Sequence, residues 1–120
     1  MKIAFARPSD ASDLSYFYTL AELHEFVVPE LFDPGELRQK LQKSELLICV
    51  ARQNETIQAA LIGIVHPWNG AVEVGPFTLA ETLPDADEIR YACIAQLKAY
   101  AWENFGLMYL TASTKEEFRR

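Results

Sequence analysis

Residues 46–79 read LLICVARQNETIQAALIGIVHPWNGAVEVGPFTL, and this stretch decides the fold. Leu46 to Arg52 is an almost unbroken apolar run, the pattern of a buried strand. Gln53-Asn54-Glu55-Thr56 is polar and turn-like, and Ile57 to His66 is a second apolar segment of strand length. Pro67-Trp68-Asn69-Gly70 follows, in which Asn-Gly is the strongest short hairpin signal. Ala71 to Leu79 then returns as another strand. The spacing predicts three consecutive antiparallel strands.

Upstream, Lys2 to Arg7 alternates as a first strand that Pro8 ends. Ser9 or Asp10 can cap a helix with Asp13 in its first turn. Leu14, Phe17, Tyr18, Ala21 and Phe26 recur at helical spacing and carry that helix from about residue 10 to about residue 25. Asp33-Pro34-Gly35-Glu36 opens a second helix, with Asp33 as cap, Pro34 at the first helical position and Glu36 as a capping-box acid. Leu37 and Leu41 form its apolar stripe, and it ends near Lys43.

Downstream, Pro84-Asp85-Ala86-Asp87-Glu88 opens a long helix capped by Asp85, with Glu88 completing a capping box. Ile89, Cys93, Leu97 and Tyr100, flanked by Ala92 and Ala101, mark its buried face. Gly106 ends it, and Leu107 to Ser113 forms a last strand. Thr114-Lys115-Glu116-Glu117 is a further capping box, followed by Phe118, and opens a fourth helix that reaches Arg120 within about two turns. The order is β-α-α-β-β-β-α-β-(α), an α/β domain with a mixed, mainly antiparallel sheet flanked by helices.

The chain has 120 residues, half of them hydrophobic and 23% charged, which suits one domain around one core and argues against disorder. No apolar run approaches the roughly 18 residues of a membrane span, and the N-terminus lacks a signal-peptide pattern. The formal net charge is -6 and the eleven Lys and Arg are scattered, which excludes a basic face for nucleic acid or an anionic membrane. Cys49 and Cys93 lie far apart in apolar segments and read as buried thiols in a reducing cytosol. His24 and His66 fall in different elements, so no metal site is expected. His24, with Glu22 and Glu25, reads as a solvated helix face. His66 reads as a surface residue or a pocket liner at the mouth of a hairpin. Ser113 and Thr114 have no adjacent base, and no nucleotide-binding loop of Walker or dinucleotide type is present.

The order of elements resembles the GNAT superfamily of N-acetyltransferases over nearly the whole chain. Arg7-Pro8-Ser9-Asp10-Ala11-Ser12-Asp13-Leu14 is similar to that family's opening R-P-x-D-x-x-x-L run. Leu46 to Arg52, Ile57 to Val65, Val72 to Leu79 and Leu107 to Thr114 resemble its second to fifth strands. The resemblance implies transfer of an acetyl group from acetyl-CoA to a small-molecule or peptide amine. It implies that the donor's pantetheine arm lies along the fourth strand, with Phe77 and Leu79 supplying backbone groups. It also gives Glu73 the role of general base, as in the histone-acetylating branch, where burial raising its pKa would suit the task. On the residues alone, Glu73 is a solvent-facing acid on a half-buried strand and Phe77 is core. The cluster Tyr16, Phe17, Tyr18 and Phe26 is core packing or, through the resemblance, partly a liner of the acceptor side.

Two departures from the family pattern bear on function. The Q/R-x-x-G-x-G/A loop that cradles a pyrophosphate is replaced by Leu83-Pro84-Asp85-Ala86-Asp87-Glu88-Ile89-Arg90-Tyr91-Ala92. This segment has no glycine, three acids and a single cation, Arg90, as the candidate to offset them. Acetyl-CoA binding is therefore expected to be weakened or lost. Of the family's final helix only the beginning is present, no tyrosine follows Thr114 to act as its general acid, and its final strands have no counterpart, so the edge of the last strand is expected to pair with a second copy, a partner chain or a missing remainder of the same protein. A non-catalytic binding or interaction module is the alternative to an acyltransferase, and a fragment or subunit whose remaining strands come from elsewhere is a third reading.

Overall fold

The computed structural model describes residues 1–20, 29–68, 70–105 and 110–112. Five strands form one sheet in the order β1-β2-β3-β4-β5. They are β1 (Lys2–Phe5), β2 (Leu46–Gln53), β3 (Thr56–His66), β4 (Ala71–Leu79) and β5 (Leu110–Ala112), with helices α1 (Ala11–Leu20), α2 (Pro34–Gln42) and α3 (Ala86–Phe105). Neighbours from β1 to β4 are antiparallel, and β5 pairs with β4 in parallel. The expected mixed, mainly antiparallel sheet flanked by helices is therefore present.

The unbroken apolar run of β2 has a direct cause, because both faces of the sheet are covered. Ile48 and Val50 point to one side, where Leu14, Tyr18, Leu37 and Leu41 of α1 and α2 meet them. Leu47, Cys49 and Ala51 point to the other, against Ile89, Cys93, Leu97 and Ala101 of α3. The stripe read from α3 at steps of four is this buried face. Gly63 on β3 lets the helix sit close, since a Cβ there would lie 2.8 Å from Leu97 Cδ2 and 3.2 Å from Val72 Cγ1.

The helix starts differ in how far they match expectation. Asp33 accepts the N–H groups of Gly35 at 3.0 Å and Glu36 at 3.2 Å, the cap read from the sequence. Asp33→Ala is expected to cost about 1 kcal/mol, read as a lower urea midpoint at unchanged m-value. At α1 the helix does not begin under a Ser9 or Asp10 cap. A 3-10 turn, Pro8–Asp10, precedes it. The buried Asp10 carboxylate reaches back to the Arg7 N–H at 2.7 Å and across to Arg52 Nη2 on β2 at 3.1 Å. That pair of contacts ties the entry of α1 to the sheet, which a local reading of caps cannot foresee. β1 is also shorter than expected, ending at Phe5, although the Ala6 N–H still donates to Ile48 O at 2.7 Å.

Cys49 and Cys93, distant in sequence, meet between β2 and α3, both free and fully buried. Contact with the Cys93 thiol, together with burial, pushes the Cys49 thiol up. Both thiols are expected to resist Ellman's reagent at pH 8 in the folded protein and to react in full once urea unfolds it. Stoichiometric reaction of the native protein within the mixing time would contradict this packing.

Among the described residues, no helix is long and apolar enough to cross a membrane. The expectations placed on Ala21, Glu22, His24, Glu25, Phe26, Asn69, Gly106 to Tyr109 and Ser113 to Arg120 lie outside the described residues.

Candidate active site

The site is built on β4. Its first half pairs with β5 through Val72–Leu110, Glu73–Thr111 and Val74–Ala112. On its other side β4 pairs with β3, and between the pairs Gly63–Val74 and Leu61–Phe77 it carries one residue more than its partner. This is a β-bulge, and it holds Gly75 and Pro76, the latter a residue that could not donate to a regular ladder. The extra residue flips the side-chain alternation. Val72 and Val74 before the bulge and Phe77 and Leu79 after it all face the α3 side of the sheet.

The register also fixes where the backbone groups of the second half point. The Ala80 N–H donates to Gln58 O at 2.8 Å, so these two residues form a hydrogen-bonded antiparallel pair. Such pairs alternate along a ladder. Thr78, opposite Ala60, therefore bonds to β3, while the N–H and C=O of Phe77 and Leu79 point to the opposite edge. Among the described residues β5 does not extend past Ala112, opposite Val74, so no described strand meets that edge beyond the bulge.

Glu73 points to the other face, the side of α1 and α2, as alternation from Val72 and Val74 requires. Its Oε1 lies 3.0 Å from His66 Nε2, and the two side chains are 28% and 27% exposed. The ring of the exposed Trp68 stands edge-on to His66 at 4.9 Å. An N–H on Nε2 directed at the carboxylate leaves Nδ1 as the acceptor nitrogen, and Nδ1 is buried with no hydrogen-bond partner among the described residues. Together, carboxylate and imidazole form a pair able to take up one proton and hold it as an imidazolium–carboxylate ion pair.

The resemblance singles out Glu73, whereas His66 reads from the sequence as a surface residue or a pocket liner at the mouth of the hairpin. The signal for the pair was present, however. A four-residue turn at 67–70 pairs His66 with Ala71, and Glu73 is then the diagonal neighbour on the same face.

The other candidates are dispersed. Arg90 is only 6% exposed, on the packed side of α3, with its guanidinium 5.4 Å from the Tyr91 ring centre. Asp85, Asp87 and Glu88 are exposed around the start of the same helix, and Asp85 O accepts the Ile89 N–H at 3.1 Å. The carboxylates suit the positive end of the helix dipole. A pyrophosphate does not fit here, because carboxylates occupy the solvent side and the cation is inside. Of the aromatic cluster, Phe17 and Tyr18 are core, and burial pushes the Tyr18 hydroxyl far above the ordinary phenol range, so it stays protonated. Tyr16 is exposed and lines a cavity of about 390 Å³ with Asp13, Leu20, Glu55 and Ile57. No cluster of three or more metal-binding side chains occurs among the described residues.

Among the described residues, β4 pairs with β5 over its first half, bulges, and directs the Phe77 and Leu79 backbone groups outward beyond it, and the chain has the fold of solved GNAT N-acetyltransferases. Solved structures with this fold include the ribosomal-protein-alanine N-acetyltransferase of Brucella melitensis biovar Abortus 2308, at 20% identity over 99% of this chain and 86% of that one, with a TM-score of 0.63. An aminoglycoside acetyltransferase from an uncultured soil metagenomic sample, in complex with sisomicin, is similar at 17% identity over 97% and 78%, with a TM-score of 0.69. A predicted acetyltransferase with acetyl-CoA from Clostridium acetobutylicum is similar at 15% identity over 98% and 83%, with a TM-score of 0.68. No family model and no curated protein matches the chain.

Proposed function

We propose that this chain is an N-acyltransferase that moves an acetyl group from a pantetheine thioester to an amine, with acetyl-CoA the donor its fold implies. The observation that carries this reading is the edge of β4 beyond the bulge. A pantetheine arm contains two amides, and amides bind a strand edge as a short peptide does. The N–H and C=O groups of Phe77 and Leu79 point to that edge, one repeat of the strand apart. Glu73 lies two residues before the bulge, about 7 Å along the strand at ~3.3 Å per residue.

In this reading the acceptor approaches from the α1 and α2 side as an ammonium group, which the Glu73 carboxylate attracts. One proton passes from it to the Glu73–His66 pair. The freed amine attacks the thioester carbonyl, the C–N bond forms and the C–S bond breaks. The departing thiolate takes up, through water, the second proton that the nitrogen loses as the amide forms, and the pair returns its own proton to solvent. An acidic chain suits a small-molecule or peptide amine that is cationic, and one neighbour of like fold holds an aminoglycoside.

We further place the protein in a reducing cytosol, on its two free buried thiols. A second copy or a partner chain would pair with the outer edge of β5.

A second reading is a GNAT-fold binding module without catalysis, favoured by the three exposed carboxylates at the start of α3. Calorimetric titration of acetyl-CoA, paired with thiol release in the presence of a panel of amines, separates the two. Binding with amine-dependent thiol release supports the transferase. Absence of binding of both acetyl-CoA and acetyl-pantetheine at millimolar ligand would sink it and leave the binding module.

A further inference from the structure

The two halves of a CoA-type donor meet opposite conditions on this surface, and the difference points to the donor the site selects. This inference rests on the acyltransferase reading. We infer that the donor is recognised through its acyl-pantetheine arm alone, and that the site prefers a pantetheine-type thioester lacking the nucleotide pyrophosphate.

Backbone donors and acceptors for the arm are in place on Phe77 and Leu79. Beyond Leu79, where the arm's far end would emerge, the chain turns through Ala80 to Asp85 into α3. Asp85, Asp87 and Glu88 stand exposed around that turn. Without a glycine between Leu83 and Ala92, side chains line every position at which backbone N–H groups would have to close on a phosphate. Arg90 is buried and offers the phosphate no exposed charge. Among the described residues, the side chains exposed around the helix start carry charge of one sign, and it opposes any anion carried by the donor. A nucleotide pyrophosphate adds charge that this surface repels, while an uncharged arm loses nothing by omitting it.

The test compares acetyl-pantetheine with acetyl-CoA on the full chain, by calorimetry and by amine-dependent turnover, at about 20 and 300 mM salt. Acetyl-pantetheine is expected to bind as tightly as acetyl-CoA or tighter. Its Kd should be independent of salt. Acetyl-CoA should bind more tightly as salt rises, by about threefold or more, because screening relieves repulsion. The triple variant Asp85→Asn, Asp87→Asn, Glu88→Gln should tighten acetyl-CoA and leave acetyl-pantetheine unchanged.

If acetyl-CoA binds about a hundredfold more tightly than acetyl-pantetheine and weakens with salt, as two or three charge-assisted bonds to phosphate would produce, the inference is overturned and the transferase reading stands. If neither thioester binds while the protein is folded, both are overturned.

Discussion

In the proposed reaction, Glu73→Gln is expected to lower kcat by about a hundredfold to a thousandfold, the scale at which a positioned base contributes, and to leave the Kd of the acyl donor within about twofold. The change removes the carboxylate but keeps the shape of the side chain and a group to meet His66 Nε2, which lies 3.0 Å from Glu73 Oε1. Its effect therefore falls on proton uptake and not on folding. His66→Gln acts through the same pair, so it gives a smaller loss of kcat and a changed pH profile, because the imidazole that shares the proton is gone. In the double variant the losses do not add, since each residue works only with the other. Steady-state kinetics with a saturating amine reads all three. An unchanged kcat in Glu73→Gln would remove Glu73 from the chemistry and return it to the role of a strand acid facing water.

Leu97→Ala carries the largest expected stability effect, a loss of about 2–5 kcal/mol. Leu97 is fully buried at the centre of the α3 stripe, and its methyl groups fill the space above Gly63. Against a typical domain stability of roughly 5–15 kcal/mol, such a loss brings the protein close to unfolding. Gly63→Ala adds a methyl group where Leu97 Cδ2 would stand 2.8 Å away. That alone costs about 1–3 kcal/mol, towards the lower end because the atom it meets is the mobile tip of a side chain. Combining the two places the new methyl group in the space that Leu97→Ala vacates. The double variant is then more stable than the sum of the single losses, with a coupling of about 1 kcal/mol. Urea unfolding of the four proteins closes the cycle. Strict additivity would mean that α3 does not rest on β3 at Gly63.

Much of this fold was legible because local and tertiary signals agree. The Asp33-Pro34-Gly35-Glu36 start, the stripe Ile89–Cys93–Leu97 and the three strands within residues 46–79 are each written in a few neighbouring residues, and packing keeps what they specify. What escaped reading depends on pairing. The bulge at Gly75 and Pro76 exists only relative to β3. The tie from Asp10 to the sheet needs Arg52, forty-two residues later. The meeting of Cys49 with Cys93 needs α3 to cross β2. Arg90 reads as the cation that offsets the acids of its segment, yet the helix phase that buries Ile89 and Cys93 turns it inward too. Glu73 could be named through a resemblance, but its partner His66 followed only from the hairpin register.

In the proposed reaction, the β4 edge beyond the bulge receives the amides of a pantetheine thioester. Amide resonances of the isotopically labelled chain, followed by NMR while acetyl-pantetheine is added, test it most directly. Phe77 and Leu79 N–H groups point to that edge, so their resonances should move most, whereas that of Thr78, already bonded to β3, should move little. Saturable shifts of Phe77 and Leu79 are the predicted result. Binding that leaves both resonances in place and moves others would contradict it.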